Sequence, residues 1–181
     1  KKAILENKYS IWQEVQLRYD FENGEMGQSM IRFGLLRPLN DHHEVGVLMG
    51  YIATGSTGKE YRPTLQHLYW QTDENKFYSF RSRLEWRDQE NNPANSIRLR
   101  LAPTFRWTFK EKLALAVSDE VFINLTEEAW TGDRTFERNR AFIGLRHDLP
   151  GFIFEYGYLN QYIPRHTRDT VDHILVLNLY Y

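Results

Sequence analysis

Apolar and polar residues alternate with a period of two along nearly the whole chain. In "EVQLRYDF", Val15, Leu17, Tyr19 and Phe21 fall on one side, and Glu14, Gln16, Arg18 and Asp20 on the other. "FRSRLEWR" repeats the arrangement, with Phe80, Ser82, Leu84 and Trp86 opposed by Arg81, Arg83, Glu85 and Arg87. In "SIRLRLAPTFRWTF", Ile97, Leu99, Leu101, Phe105, Trp107 and Phe109 stand against Arg98, Arg100 and Arg106. Successive side chains of a strand point to opposite faces, so this pattern predicts strands with two chemically sorted faces; helical spacing is scarce.

Turn-forming residues divide the chain into about ten strands, at 8–21, 26–39, 44–55, 61–74, 76–90, 95–110, 112–126, 134–149, 151–164 and 168–181. Many exceed the five or six residues of an ordinary strand and reach the roughly 9 to 11 that a tilted strand needs to cross a bilayer. The joins alternate. "ENGE", "GSTGKE", "NNPAN", "EEAWTGDRT" and "PRHTR" are longer or more polar, whereas "DHH", "EN", "EK" and "LPG" are tight. This rhythm predicts an all-β fold, an antiparallel up-and-down transmembrane β-barrel forming a single domain over 1–181. Short periplasmic turns, longer outer loops and periplasmic chain ends follow from it.

Composition agrees with β-structure: aromatics make up 15% of the residues, with eleven Tyr and eleven Phe. The net charge of −1 supplies no global field for nucleic acid, so no nucleic-acid partner is expected. Absence of cysteine removes disulfides, thiolate metal sites and cysteine nucleophiles. No run approaches the roughly 20 apolar residues of a spanning helix. "KKAILENKYS" lacks the apolar core of a signal peptide, so export implies a signal already removed.

Charge has to be read locally. The polar face carries Arg18, Arg32, Arg81, Arg83, Arg87, Arg98, Arg100, Arg106, Arg138, Arg140 and Arg146, together with Glu14, Glu85, Glu120, Glu155, Asn124 and Gln161. Arginine forks suit paired networks in partly dehydrated space, which fits a narrow lumen lined by these residues. On this reading arginines exceed acids inside, and water or small anionic solutes are expected there. A soluble lipid-binding barrel would reverse the faces, and alternation alone does not separate the two.

The run "DHILVLNLYY" sets Leu175, Leu177, Leu179 and Tyr181 on one face, ending on an aromatic. It is similar to the signal by which outer-membrane barrels are recognised by the barrel-assembly machinery, and it reads as a last wall strand able to pair with the first. "RSRLEWR", "RLRLAPTFR", "SDEVFINL", "ERNRAFIGL" and "GYLNQYI" follow one another before it. In this order the segments resemble a family of bacterial outer-membrane barrels known only as a domain of unknown function, mainly over 76–181. Its recurrent polar positions match Arg83, Glu85, Arg98, Arg100, Glu120, Asn139 and Arg140, and "GYLNQ" matches Gly157 to Gln161. The resemblance implies a bacterial outer-membrane location with lipid as surroundings. It implies no reaction and no cofactor.

The wall also carries residues with chemical potential. His67, His147, His166 and His173 with Ser79, Ser82, Ser96 and Ser118 supply the pieces of a lipid hydrolase, but no strand pairing evident in the sequence joins His173 to Ser82. Asp41, His42, His43 and Glu44 lie in a tight turn, where successive side chains diverge, so no metal is assigned. Glu85 and Glu120 read as ion-pair partners of arginine rather than as an acid–base pair. Asp119 falls on the apolar face, which calls for a bulge or a place near the interface. Three readings follow: an anion-favouring channel or binding barrel, a plugged structural or adhesion barrel, and a lipid-modifying hydrolase. The oligomeric state is not legible.

Overall fold

The computed structural model describes residues 2–5, 9–20, 24–55, 58–131, 134–165 and 167–180. These form one antiparallel sheet in simple up-and-down order. Its strands are β1 (Lys2–Leu5), β2 (Tyr9–Asp20), β3 (Glu25–Pro38), β4 (His43–Thr54), β5 (Gly58–Asp73), β6 (Lys76–Gln89), β7 (Ser96–Lys110), β8 (Leu113–Asn124), β9 (Phe136–Leu149), β10 (Phe152–Ile163) and β11 (Thr170–Tyr180). A single 3₁₀ turn at Ala129–Thr131 is the only helical element among the described residues. Among the described residues no helix is long and apolar enough to cross a membrane, which says nothing about crossing by strands.

The ten long strands fall within about two residues of the sequence boundaries, with one exception. The join expected at "GSTGKE" shrinks because β5 starts at Gly58 (φ 78°), so that Lys59 and Glu60 already pair with Ala53 and Ile52. Tight turns elsewhere use left-handed residues: Glu74 (φ 45°), Lys112 (φ 64°) and Gly151 (φ 83°). Each lets a hairpin reverse within two residues.

The sheet curls around its polar face. Glu14 on β2 feels the charges of Arg81 and Arg83 on β6, and Arg18 on β2 those of Glu120 on β8 and Arg138 on β9. Polar residues are therefore inside: Glu85 is fully buried, and Arg32, Arg98 and Asn124 nearly so. Apolar residues are outside, with Leu175 90%, Leu177 72% and Val15 71% exposed. This inverts the ordinary sorting of a water-soluble domain.

Closure of the ring is not observed. Among the described residues β11 pairs with β10, and no ladder joins it to β2. An additional short strand, β1, folds back on β2 from Lys2↔Trp12 to Leu5↔Tyr9 and occupies that part of its outer edge. The result is a curled sheet with a seam.

Small residues make room where large ones cross the interior. Gly144 and Gly157 are opposite one another, and a Cβ on Gly157 would lie 2.3 Å from the Ile143 carbonyl and 2.8 Å from the Phe142 ring. Phe142 is buried over this pair, which a glycine surface permits.

Candidate functional site: the charged interior

The interior charges form two different kinds of contact. On the β5–β9 side, carboxylates are each shared among several guanidiniums. Glu85 accepts from Arg98 and, at 2.7 Å, from Arg100, while Arg62 approaches it at 4.0 Å. Glu120 accepts from Arg100 at 2.8 Å and Arg81 at 3.2 Å. Glu60 holds Arg62 at 2.6 Å and Arg87 at 2.9 Å. Glu137 takes Arg138 at 2.6 Å, Arg98 at 2.9 Å and Arg87 at 3.7 Å. Bidentate forks and shared acceptors satisfy donors that burial has removed from water.

Phe122, also buried, sits inside this network. The guanidinium carbons of Arg100, Arg140, Arg98 and Arg138 lie 4.6, 4.8, 5.2 and 5.7 Å from its ring centre. An aromatic face offers the cations negative potential where no further carboxylate is present. Above the network the 125–131 loop folds inward: the Trp130 ring lies 4.6 Å from the Arg87 guanidinium carbon, and its indole donates to the Ala94 carbonyl at 3.0 Å. Asn124 anchors the same loop by donating to the Arg134 carbonyl at 2.9 Å.

Three arginines are held differently. Arg18 donates to Gln16 at 3.2 Å, Arg83 to Gln66 at 2.7 Å and Arg140 to Gln161 at 2.6 Å. Among the described residues none of these forms an ion pair with a carboxylate. Gln161 is itself fixed by donating to Asp172 at 2.6 Å, so its carbonyl oxygen faces Arg140. Toward the tight-turn end Arg106 lies over the Phe77 ring, Arg146 pairs with Asp148 at 3.0 Å, and Glu155 accepts from Asn178 at 3.2 Å and from Tyr180. Arg32 pairs with Glu14 at 2.9 Å.

Of the polar-face residues expected from the sequence, Arg32, Arg83, Glu85, Arg87, Arg98, Arg100, Asn124 and Gln161 are buried, and the others are partly buried. Glu60, Arg62, Glu137 and Phe122 were not singled out. Glu137 follows from a bulge: β8 pairs Phe122↔Arg138 and then Ile123↔Phe136, leaving Glu137 as the extra residue, so it and Arg138 both turn inward. Glu60 falls in a segment of loop composition, "GSTGKE". Phe122 obeys the alternation that places Glu120 and Asn124, and that signal was available.

The outer wall answers the remaining expectations. Ser82 is cross-strand partner of His67, not of His173. The His67 Nε2 meets the His43 Nδ1 at 3.0 Å. His173 lies opposite Asn160, and its Nδ1 meets the Tyr158 hydroxyl. His166 and Tyr181 lie outside the described residues. The turn cluster separates: His42 meets the Trp70 carbonyl at 3.1 Å, His43 turns to His67, and Glu44 is buried on the opposite face. Asp119 stays on the outer face in an unbroken pairing with Ala141, so of the two alternatives the bulge does not occur; the Asn139 amide donates to it at 2.6 Å.

Comparison with protein families places this arrangement. The model of a protein family of unknown function, DUF2490, matches residues 2–172. The chain belongs to the DUF2490 family. The match spans both halves of the sheet, including β2 to β5, where the sequence resemblance was weak. No curated protein matches the chain. Membership of DUF2490 thus brings a fold-wide relationship without an activity, and the chemistry must be argued from the interior itself.

Proposed function

We propose that this DUF2490 protein is a bacterial outer-membrane barrel whose apolar outer face meets lipid and whose interior binds small anionic solutes rather than conducting freely. The inversion of faces carries the reading. Val15, Leu17, Phe33, Val47, Leu65, Ile143, Leu175 and Leu177 point outward and are well exposed, while arginine and glutamate are buried within. In water such a continuous apolar surface is an association site; in lipid it is the ordinary outer wall. The amide-capped Asp119 is tolerable on that wall, where an uncapped acid would be costly.

Binding is favoured over an open pore by the packing of the interior. Glu60, Arg62, Glu85, Arg87, Arg98 and Glu137 are buried against one another, and Trp130 covers Arg87. That side is a closed ion-pair plug. The amide-partnered arginines leave positive charge beside it, which an anion would neutralise.

Membrane insertion is tested by extraction and folding. The protein is expected to stay with the membrane through high salt and carbonate, and to refold only in detergent or lipid, with a heat-sensitive electrophoretic shift. In planar bilayers it should show no sustained large conductance in potassium chloride. A chain that is monomeric and folded in plain buffer overturns the membrane reading, and steady large conductance overturns the binding reading.

A further inference from the structure

The outer wall holds a histidine pair that neither the apolar surface nor the charged interior uses. We infer that His43 and His67 form a metal-binding site, a two-imidazole chelate for a divalent transition-metal ion of square-planar or tetragonal preference, with copper(II) the best fit.

The sheet register brings the two rings together. His43 opens β4 opposite Tyr69, and His67 stands opposite Val45, so the histidines are diagonal neighbours on adjacent strands and share the outer face. The Nδ1 of His43 and the Nε2 of His67 meet at 3.0 Å, with ring centres 5.2 Å apart and planes only 21° from parallel. The rings thus approach nearly head-on around a single proton, one nitrogen donating and the other accepting. Tyr69 packs on His43 with ring centres 5.0 Å apart and donates its own hydroxyl to Gln71 at 3.0 Å, so it steadies the ring without competing for the nitrogen.

The separation selects the ion. With metal–nitrogen bonds of about 2.0–2.1 Å, an ion spanning a 3.0 Å gap holds the two nitrogens at about a right angle. Adjacent positions of a square-planar or tetragonal ion have that angle, whereas a tetrahedral ion such as zinc needs nitrogens about 3.3 Å apart. A turn of both rings makes the lone pairs converge, and the ion takes the place of the shared proton. Copper(II) also binds nitrogen ligands most strongly among the divalent first-row ions.

Water completes the coordination. No group of three or more His, Cys, Asp or Glu able to hold a metal occurs among the described residues, so the protein supplies the two imidazoles alone. His42 is turned to the Trp70 carbonyl, and Glu44 is buried on the opposite face. Both histidines of the pair are partly exposed, and His43 directly follows the exposed turn residues Asn40, Asp41 and His42. An open pit of about 220 Å³ beside His67, over the small Ser82, leaves room at the ring.

The test titrates untagged full-length protein with copper(II) chloride, followed by calorimetry and electron paramagnetic resonance. The protein is folded in detergent, or in plain buffer if it folds there, so the site is decided apart from the membrane reading. One bound equivalent is expected, with a tetragonal spectrum coupled to two imidazole nitrogens, and zinc chloride should bind at least tenfold more weakly. His43→Gln and His67→Gln should each weaken copper binding at least tenfold, while His42→Gln and His173→Gln bind like wild type. If a glutamine variant does not fold, the wild-type spectrum still counts the nitrogens, and Tyr69→Phe, which keeps the packed ring, should bind like wild type. No copper bound by the folded protein, a spectrum with a single nitrogen, or equal loss in His42→Gln overturns the site. Zinc binding as tight as copper overturns the square-planar assignment.

Discussion

The two sides of the interior carry the same residue type with opposite consequences. On the β5–β9 side Arg62, Arg87, Arg98 and Arg100 are locked by Glu60, Glu85, Glu120 and Glu137. Arg18 on β2 and Arg140 on β9 instead lean on glutamines. An ion-paired guanidinium deep in the sheet is structure, because removing its partner leaves an uncompensated buried charge. An amide-partnered guanidinium has no carboxylate beside it to cancel its charge. Arginine count alone therefore says little about binding; the identity of the cross-strand partner decides it.

The largest effect should come from the centre of the locked side. Glu85→Gln leaves Arg98 and Arg100 short of a carboxylate and is expected to cost about 3–5 kcal/mol, read as loss of the folded, heat-shifted form in urea titration. Arg140→Gln removes a guanidinium that has no carboxylate partner among the described residues and should cost less than Glu85→Gln in the same titration. Equal losses in the two variants would erase the distinction between the sides.

A middle-sized effect is expected where the plug meets the loop. Trp130→Ala removes the ring over Arg87 and should cost roughly 1–2 kcal/mol, with faster hydrogen exchange at 125–131. Overpacking gives a similar size: Gly157→Ala drives a methyl into Phe142 and the neighbouring backbone, for about 1–3 kcal/mol in urea.

The smallest effect lies outside both regions. Asp169, in the join between β10 and β11, is held below the usual carboxylate range by the Tyr162 hydroxyl and then by the Arg165 amide. A lowered folded value means that this contact stabilises the join above the ordinary aspartate range and is lost as pH falls through the lowered value. Proton exchange at Arg165 measured by NMR should rise across that acid interval, and Asp169→Asn should abolish the pH dependence without altering the interior.

Strand positions and face assignments were legible because period-two alternation is a local property. The start of β5 was not, since "GSTGKE" has loop composition and only its pairing with β4 makes it strand. Glu60 was lost with it. Glu137 escaped for another reason: the inserted residue in β9 breaks the period, and only the register against β8 reveals it. Contacts between distant strands, such as Ser82 beside His67 or the seam between β2 and β11, depend on register and on competition for an edge. Neither has a signature inside one strand. The ion pairs were anticipated in kind, but their partition into locked and open arginines required the partners to be known.

The bulge at Glu137 has a consequence for how such an interior can change. In a strict alternating strand every substitution must trade one inward residue for another, so an acid can be gained only by giving up something already there. An insertion escapes that exchange: the flanking residues keep their faces, and one carboxylate is added to a crowded interior without displacing Arg138 or Arg140. Charge balance in this sheet can thus be adjusted by length as well as by composition.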